Sequence, residues 1–83
     1  MWPFSKSYSI RIHGRAGITY KEGVRTLEID SEMLIGKYDY AIYWTKVTNW
    51  APPYENEKLS ETEKARIKVN IENRLNSLSL EWL

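Results

Sequence analysis

The residues of this 83-residue chain that are best suited to chemistry are carboxylates, and they occur in two clusters. The first cluster comprises Glu28, Asp30 and Glu32, and the second comprises Glu55, Glu57, Glu61 and Glu63. General acid–base catalysis needs a pocket that shifts the pKa values of such groups. A domain this small, with one helix, rarely encloses such a pocket. The carboxylates therefore indicate a solvated face or an acidic docking surface for a basic partner, and not an enzyme.

Other reactive groups are scarce. The chain has no cysteine and one histidine, His13, so it has neither a disulfide framework nor a thiolate metal site or nucleophile. His13 has no second histidine and no carboxylate at a ligand spacing, which indicates a surface side chain. The H-G-R-A-G segment that follows lacks the spacing and the lysine-serine end of a phosphate-binding loop, so it reads as a turn. We expect no metal and no cofactor.

A basic first hairpin leaves one alternative function open. Its charged residues are Lys6, Arg11, Arg15, Lys21 and Arg25 against Glu22, and they alternate with Tyr8 and Tyr20. Basic side chains beside aromatic rings can bind single-stranded nucleic acid. However, the tyrosines share the faces of isoleucines, which favours the core, and a formal net charge of +1 is low for a polyanion binder. A small nucleic-acid-binding or regulatory domain is therefore the alternative prediction.

These side chains must be positioned by a sheet, because the first half of the chain alternates polar and apolar residues. Strands are predicted at 8–12, around 18–20 and at 24–30, with Gly23 in a positive-φ turn between the last two. In the third strand, Arg25, Leu27 and Ile29 share one face, and Glu28 and Asp30 point to solvent on the other. Residues 30–32 are expected to form a turn, and residues 33–35 a separate short strand.

The aromatic stretch from Tyr40 to Tyr54 is predicted to hold the most buried and central strand. That strand should span residues 38–45, with Trp44 near its end, since both alternating faces are apolar. Pro52 and Pro53 cannot donate to a sheet ladder, so the chain must leave the sheet there. Trp50 is expected to anchor this exit, and Tyr54 to begin the acidic loop.

A helix and a last strand complete the predicted fold. Ser60 and Glu63 form a capping box, so a helix should begin at Glu61 and run to about residue 76. Ile67, Ile71 and Leu75 form its apolar stripe, flanked by Ala65, Val69 and Leu78. Residues 77–83 alternate again and predict a terminal strand. The predicted fold is α+β in one domain, 1–83: an antiparallel sheet of about five strands, a meander plus a C-terminal strand, backed by one amphipathic helix.

Neither a membrane span nor a secretory signal is visible, because no run of about 18 apolar residues exists and Met1–Lys6 lacks a charged and then apolar leader. We therefore expect a cytoplasmic protein with no membrane partner. The Trp2-Pro3-Phe4 tip either lies on the sheet edge or stays loose.

Four segments carry a resemblance to a known family. They are Y-K-E-G-V-R-T-L-E-I-D-S-E-M-L at 20–34, A-I-Y-W at 41–44, W-A-P-P at 50–53 and S-E-T-E-K-A-R-I at 60–67. Together they resemble the immunity protein 74 family of bacterial polymorphic toxin systems. The resemblance implies a protein that binds the C-terminal domain of a cognate toxin in the cytoplasm and blocks its active site, with no catalysis and no cofactor. Such toxins are commonly nucleases delivered by contact-dependent growth inhibition or similar systems.

The family pattern marks no toxin-contact residues, and Gly23, Trp50 and Pro52 transfer only as structural positions. Physical reasoning supplies a candidate surface instead, because carboxylates complement the basic cleft of a nuclease and aromatic side chains supply a desolvated centre. The predicted partner-binding residues are those of the proline-stiffened loop and the helix start, with two on the third strand: Tyr54, Glu55, Glu57, Glu61, Glu28 and Asp30.

Overall fold

Five strands and one α-helix make up the part of the chain that the computed structural model describes, residues 7–83. The elements are β1 (Tyr8–Ile12), β2 (Ala16–Glu22), β3 (Arg25–Met33), β4 (Tyr40–Ile42), a 3₁₀ helix (Trp44–Lys46), α1 (Glu61–Arg74) and β5 (Leu80–Trp82). The strands form one sheet in the order β1-β2-β3-β4-β5. The predicted α+β class is therefore confirmed, while the Trp2-Pro3-Phe4 tip lies outside the described residues.

The sheet is mixed and not wholly antiparallel as predicted. Strands β1 to β4 form the expected antiparallel meander, but β5 pairs with β4 in parallel, with Tyr40 opposite Leu80 and Ile42 opposite Trp82. The reason is the helix between them. Parallel neighbours need a long crossover connection, and α1 is the element that carries the chain back along the sheet before β5 begins.

Strand β3 is longer than predicted, because the expected turn at residues 30–32 and the separate strand at 33–35 do not exist. It runs without a break from Arg25 to Met33. The polar Asp-Ser-Glu segment is accommodated by a register irregularity opposite Gly17, where the pairing of β2 with β3 shifts. There Ser31 is buried, and its Oγ accepts a hydrogen bond from the Gly17 amide at 3.0 Å.

Strand β4 is shorter than predicted, although all three of its residues are buried. The chain leaves the sheet after Ile42, and Trp44 begins a 3₁₀ helix and not the end of a strand. Its ring packs edge-on against Trp82 with the centroids 5.5 Å apart. The middle strand of the sheet is β3, so the prediction that the aromatic strand is central is wrong by one position. Trp50 is 3% exposed, as expected for an anchor of the chain exit.

Helix α1 covers one side of the sheet. It begins at Glu61 behind the predicted capping box, in which the Ser60 side chain accepts from the Glu63 amide and the Glu63 carboxylate accepts from the Ser60 amide. Ile67 and Ile71 are fully buried against the sheet, which stabilises the fold by about 1.5–3 kcal/mol for each side chain. Val69 is 51% exposed, so it does not flank the apolar stripe as expected.

The two sides of the sheet differ in what they present. The side packed against α1, called the helix side below, carries Ile18, Leu27, Ile29 and Ile42. The other side, called the open side, carries the alternate residues of the same strands. None of the helices in residues 7–83 is long and apolar enough to cross a membrane.

Candidate functional site

Four carboxylates lie on the open side of the sheet. Glu28, Asp30 and Glu32 occupy alternate positions of β3 and are exposed. Alternate residues of a strand are roughly 6.7 Å apart along it. Glu81 joins them from β5, because Glu32 lies opposite Ala41 and Ala41 lies opposite Glu81. Ala41, whose side chain is a methyl group, lies between Glu32 and Glu81 in the sheet. We call Glu28, Asp30, Glu32 and Glu81 the acidic face.

Few cations offset these charges. The Tyr43 hydroxyl donates to Glu32 Oε1 at 2.8 Å, and Lys46 Nζ lies 3.6 Å from Asp30 Oδ2. The pKa of Tyr43 is raised, chiefly by that hydrogen bond to Glu32 and by its charge, with a smaller contribution from the charge of Glu81. Both effects of Glu32 disfavour the tyrosinate, because the hydroxyl needs its proton to donate and the carboxylate repels a phenolate charge.

A chain of hydrogen bonds crosses the open side at Glu28. His13 Nε2 lies 2.6 Å from Thr19 Oγ1, and the Thr19 hydroxyl donates to Glu28 Oε1 at 2.8 Å. Since the threonine proton points to the carboxylate, the imidazole must donate to the threonine oxygen. A nucleophile–base pair requires the opposite direction, with the imidazole accepting the hydroxyl proton. The chain therefore orients Glu28 and does not activate Thr19.

The acidic loop lies on the helix side, around Arg25. Glu57 accepts two hydrogen bonds from Arg25, at 2.7 and 3.1 Å, and the guanidinium carbon lies 4.5 Å from the centroid of the Tyr54 ring. Arg25 lies opposite Glu22, whose side chain reaches α1, and this places Arg25 on the helix side. The guanidinium lowers the pKa of Glu57, chiefly by hydrogen bonding. The charge of Glu57 is therefore largely offset.

The six predicted contact residues thus form two groups and not one surface. Glu55 and Glu61 are exposed, and Glu61 is the first residue of α1. The group at the loop and helix start is Tyr54, Glu55, Glu57 and Glu61, and the group on the open side is Glu28 and Asp30. The sheet separates the second group from the Arg25-centred contacts of the first.

A buried polar network was missed from the sequence. Glu22 has a side chain only 4% exposed, and it accepts from Arg66 at 2.7 and 3.2 Å and from the Tyr20 hydroxyl at 2.8 Å. Asn70 donates to the same hydroxyl at 3.0 Å. Burial is the main reason that the pKa of Tyr20 is raised. The signal was present in the strict alternation of Ile18, Tyr20 and Glu22, which puts the carboxylate on the core side.

This network borders a cleft of about 600 Å³ between the start of β3 and the acidic loop. Its charged lining residues already have partners: Glu22 is held by Arg66, Arg25 by Glu57, and Glu63 by the Ser60 amide. Within residues 7–83, no group of three His, Cys, Asp or Glu side chains could hold a metal ion. The arrangement around the cleft joins β2, α1 and the acidic loop to one another.

The first hairpin does not present its rings beside its basic side chains. Tyr20 is fully buried, and Tyr8 stacks on it with the ring centroids 5.8 Å apart, which agrees with the prediction that both belong to the core. Arg25 is bound to Glu57. Arg11 and Lys21 project from the opposite side of the sheet, without those rings for bases to stack on.

The described residues define the class of small α+β domains in which one helix covers one side of a five-stranded sheet. The chain belongs to the immunity protein 74 family, whose model matches residues 9–81, nearly the whole chain. It is therefore an immunity protein, which acts against a toxin. No curated protein and no solved structure matches the chain significantly.

Proposed function

We propose that this protein binds the C-terminal effector domain of its cognate toxin in the cytoplasm and inhibits it by covering its active site. The toxin is a nuclease of a polymorphic system, such as one delivered by contact-dependent growth inhibition. The observation that supports this proposal is the acidic face. A nuclease cleft is basic because it holds phosphates, so a surface of carboxylates complements it in charge and accelerates encounter.

The acidic face has a larger unbalanced charge than the acidic loop. Among residues 7–83, its carboxylates meet one contacting cation, Lys46, at the long distance of 3.6 Å. In the loop, by contrast, Glu57 accepts hydrogen bonds from two guanidinium nitrogens of Arg25, Nε and Nη2, and Lys58 follows in sequence. Successive carboxylates on β3 lie closer together than the Debye length of about 8 Å at physiological salt. They therefore act on an approaching basic surface as one charged patch.

Two matched double variants test whether the toxin contacts the acidic face or the loop and helix start. The loop and helix start remain a predicted contact. Glu28→Gln with Glu32→Gln and Glu55→Gln with Glu61→Gln each remove two negative charges while keeping side-chain size. We expect the first pair to slow association with the toxin domain by about tenfold or more. We expect the second pair to slow association as well but less strongly, because Arg25 and Lys58 already offset part of the charge of the loop.

Association rates of both variants should be measured with the purified toxin domain at several salt concentrations. A smaller salt dependence in the Glu28 and Glu32 variant is expected, because fewer charges steer the encounter. The reverse ranking, with only the Glu55 and Glu61 variant impaired, would transfer the contact to the acidic loop. Circular dichroism and thermal unfolding of each variant serve as folding controls.

The inhibitory mechanism has its own test. The toxin domain should cleave DNA or RNA when free and lose this activity at one equivalent of the immunity protein. An oligonucleotide of the cleaved type should compete with the immunity protein for the toxin. Simultaneous binding of both would exclude occlusion of the active site. Strong, salt-sensitive retention of the free immunity protein on single-stranded DNA would instead support the nucleic-acid-binding alternative.

A further inference from the structure

The outer edge of β1 has no strand beside it in residues 7–83, because β1 is the first strand in the sheet order. The His13 amide donates to the Gly17 carbonyl at 2.9 Å, which fixes the phase of the β1–β2 ladder. Backbone groups alternate in direction along a strand, so those of Tyr8, Ile10 and Ile12 point away from β2. Of these groups, the Tyr8 carbonyl accepts a hydrogen bond from Arg74 Nη2 at 3.5 Å.

This edge carries few of the features that prevent strand pairing. Natural edge strands are protected by proline, charged side chains, bulges or inward charges, and Arg11 is the one charged residue of β1. The sequence of β1, Y-S-I-R-I, has neither proline nor lysine, and it is rich in residues that favour strands. Its pairing with β2 is regular from Tyr8 to Ile12. Arg11 points to the open side, so within residues 7–83 the Arg74 contact with the Tyr8 carbonyl is the side-chain hydrogen bond to these outward backbone groups.

We propose that β1 pairs antiparallel with β1 of a second copy of this chain, about a two-fold axis at Ile10. Ile10 then lies opposite Ile10 of the second copy, and Tyr8 lies opposite Ile12. All of these residues have outward backbone groups, so each of these opposed pairs can exchange two hydrogen bonds. The result is one sheet continued across both copies, with both helices on the same side.

The charges and the apolar side chains select this register. Serine at position 9 lies opposite Arg11 of the second copy on the open side. A shift that places Arg11 opposite Arg11 puts like charges in direct cross-strand contact, which is unfavourable. A shift in the other direction, which places Ser9 opposite Ser9, leaves Ile12 without a partner residue in β1 of the second copy.

The helix side gains from the same register. The side chains of Tyr8, Ile10 and Ile12 are each half-buried in one copy and pack against its core cluster. In the proposed pair, the corresponding side chains of the second copy cover them further. The Arg74 guanidinium, which lies 4.7 Å from the Tyr8 ring centroid, borders the ends of the new ladder. The second copy is thus recognised by apolar area and backbone hydrogen bonds together.

Because the chain has no cysteine, a single introduced thiol reports on the register. In Ile10→Cys, the two Cα atoms would be about 5.5 Å apart, within disulfide range. In the control Ser9→Cys, the thiols are offset diagonally and lie beyond about 7 Å. Under mild oxidation we expect a covalent dimer from Ile10→Cys and monomer from Ser9→Cys. Equal cross-linking of the two variants would overturn the proposed pairing.

Analytical ultracentrifugation of the cysteine-free protein tests association directly, and we expect a concentration-dependent dimer. Ile10→Pro removes an outward amide without removing a bond to β2, a change that edge strands tolerate. This variant should be monomeric and keep the wild-type circular dichroism spectrum. A wild type that is monomeric throughout, or a dimer that survives Ile10→Pro in folded protein, would refute the proposal. A monomeric wild type whose toxin binding is lost in Ile10→Pro would assign the edge to a toxin strand and refute it as well.

Discussion

Removing the cation from the buried network should destabilise the protein strongly. In Arg66→Met, the Glu22 carboxylate loses two hydrogen bonds and its counter-charge, while residue 66 keeps an unbranched stem and a high helix propensity. The carboxylate cannot turn to solvent freely, because its side chain is 4% exposed. One hydrogen bond remains, from the Tyr20 hydroxyl.

The size of the effect follows from burial. Breaking a fully buried ion pair by removing one partner costs about 3–5 kcal/mol. Arg66 is 32% exposed, so water can enter the space that it leaves and solvate part of the charge. We therefore expect a loss of about 2–3 kcal/mol in the free energy of unfolding. For a domain of this size, that loss corresponds to a fall in Tm of roughly 10–20 °C.

Urea unfolding followed by tryptophan fluorescence measures this loss, since Trp50 is buried in the core. Arg25→Met is the matched control: it breaks the solvent-exposed ion pair beside the same cleft and should have a much smaller effect. Adding Glu22→Gln to Arg66→Met should recover stability, because no unpaired charge then remains buried. Equal stabilities of Arg66→Met and Arg25→Met would refute the reasoning.

The remaining predictions concern the helix cap and two titrating groups. Ser60→Ala should cost about 1 kcal/mol in urea unfolding, since the Glu63 amide loses its acceptor, and a cost near zero would contradict the capping box. Arg25 lowers the pKa of Glu57, so the ion pair stabilises the folded chain at any pH above the ordinary carboxyl pKa. This stabilisation is lost as the pH falls through the lowered pKa. The difference in stability between wild type and Glu57→Gln should therefore vanish in acid. Because the pKa of Tyr20 is raised, the fold should lose stability as the pH rises above about 10, and Tyr20→Phe should weaken this alkaline loss in the same titration.

Local patterns in the sequence predicted the elements that local physics determines. The capping box fixed the start of α1 at Glu61 because both of its hydrogen bonds lie within four residues. Gly23 gave the β2–β3 turn, where it adopts the positive φ of 62° that glycine accepts without strain. The alternation of β3 placed Leu27 and Ile29 in the core and Glu28 in solvent, since a strand has two faces and only one is covered.

The predictions were wrong where contacts between distant segments determine the structure. Strand β4 pairs with β5 through residues about forty positions apart in the chain. The local residue pattern therefore predicts neither the parallel direction of this pairing nor the approach of Glu81 to Glu32. The irregularity opposite Gly17 lets β3 continue through polar residues that otherwise read as a turn. The acidic loop was assigned to one surface with Glu28 because sequence order does not show that Arg25 draws Glu57 to the helix side.

The two proposed interfaces do not compete for the same residues. A two-fold axis at Ile10 runs perpendicular to the sheet, so both open sides face the same direction in the proposed dimer. Strands β3 and β5 lie about 10 and 19 Å from β1 at the usual strand spacing, which keeps each acidic face away from the axis. The basic Arg11 side chains lie between the two faces, and their charge disfavours one basic toxin domain spanning both copies. Each copy therefore offers its own acidic face, and the stoichiometry that follows is one toxin domain for each chain of the dimer.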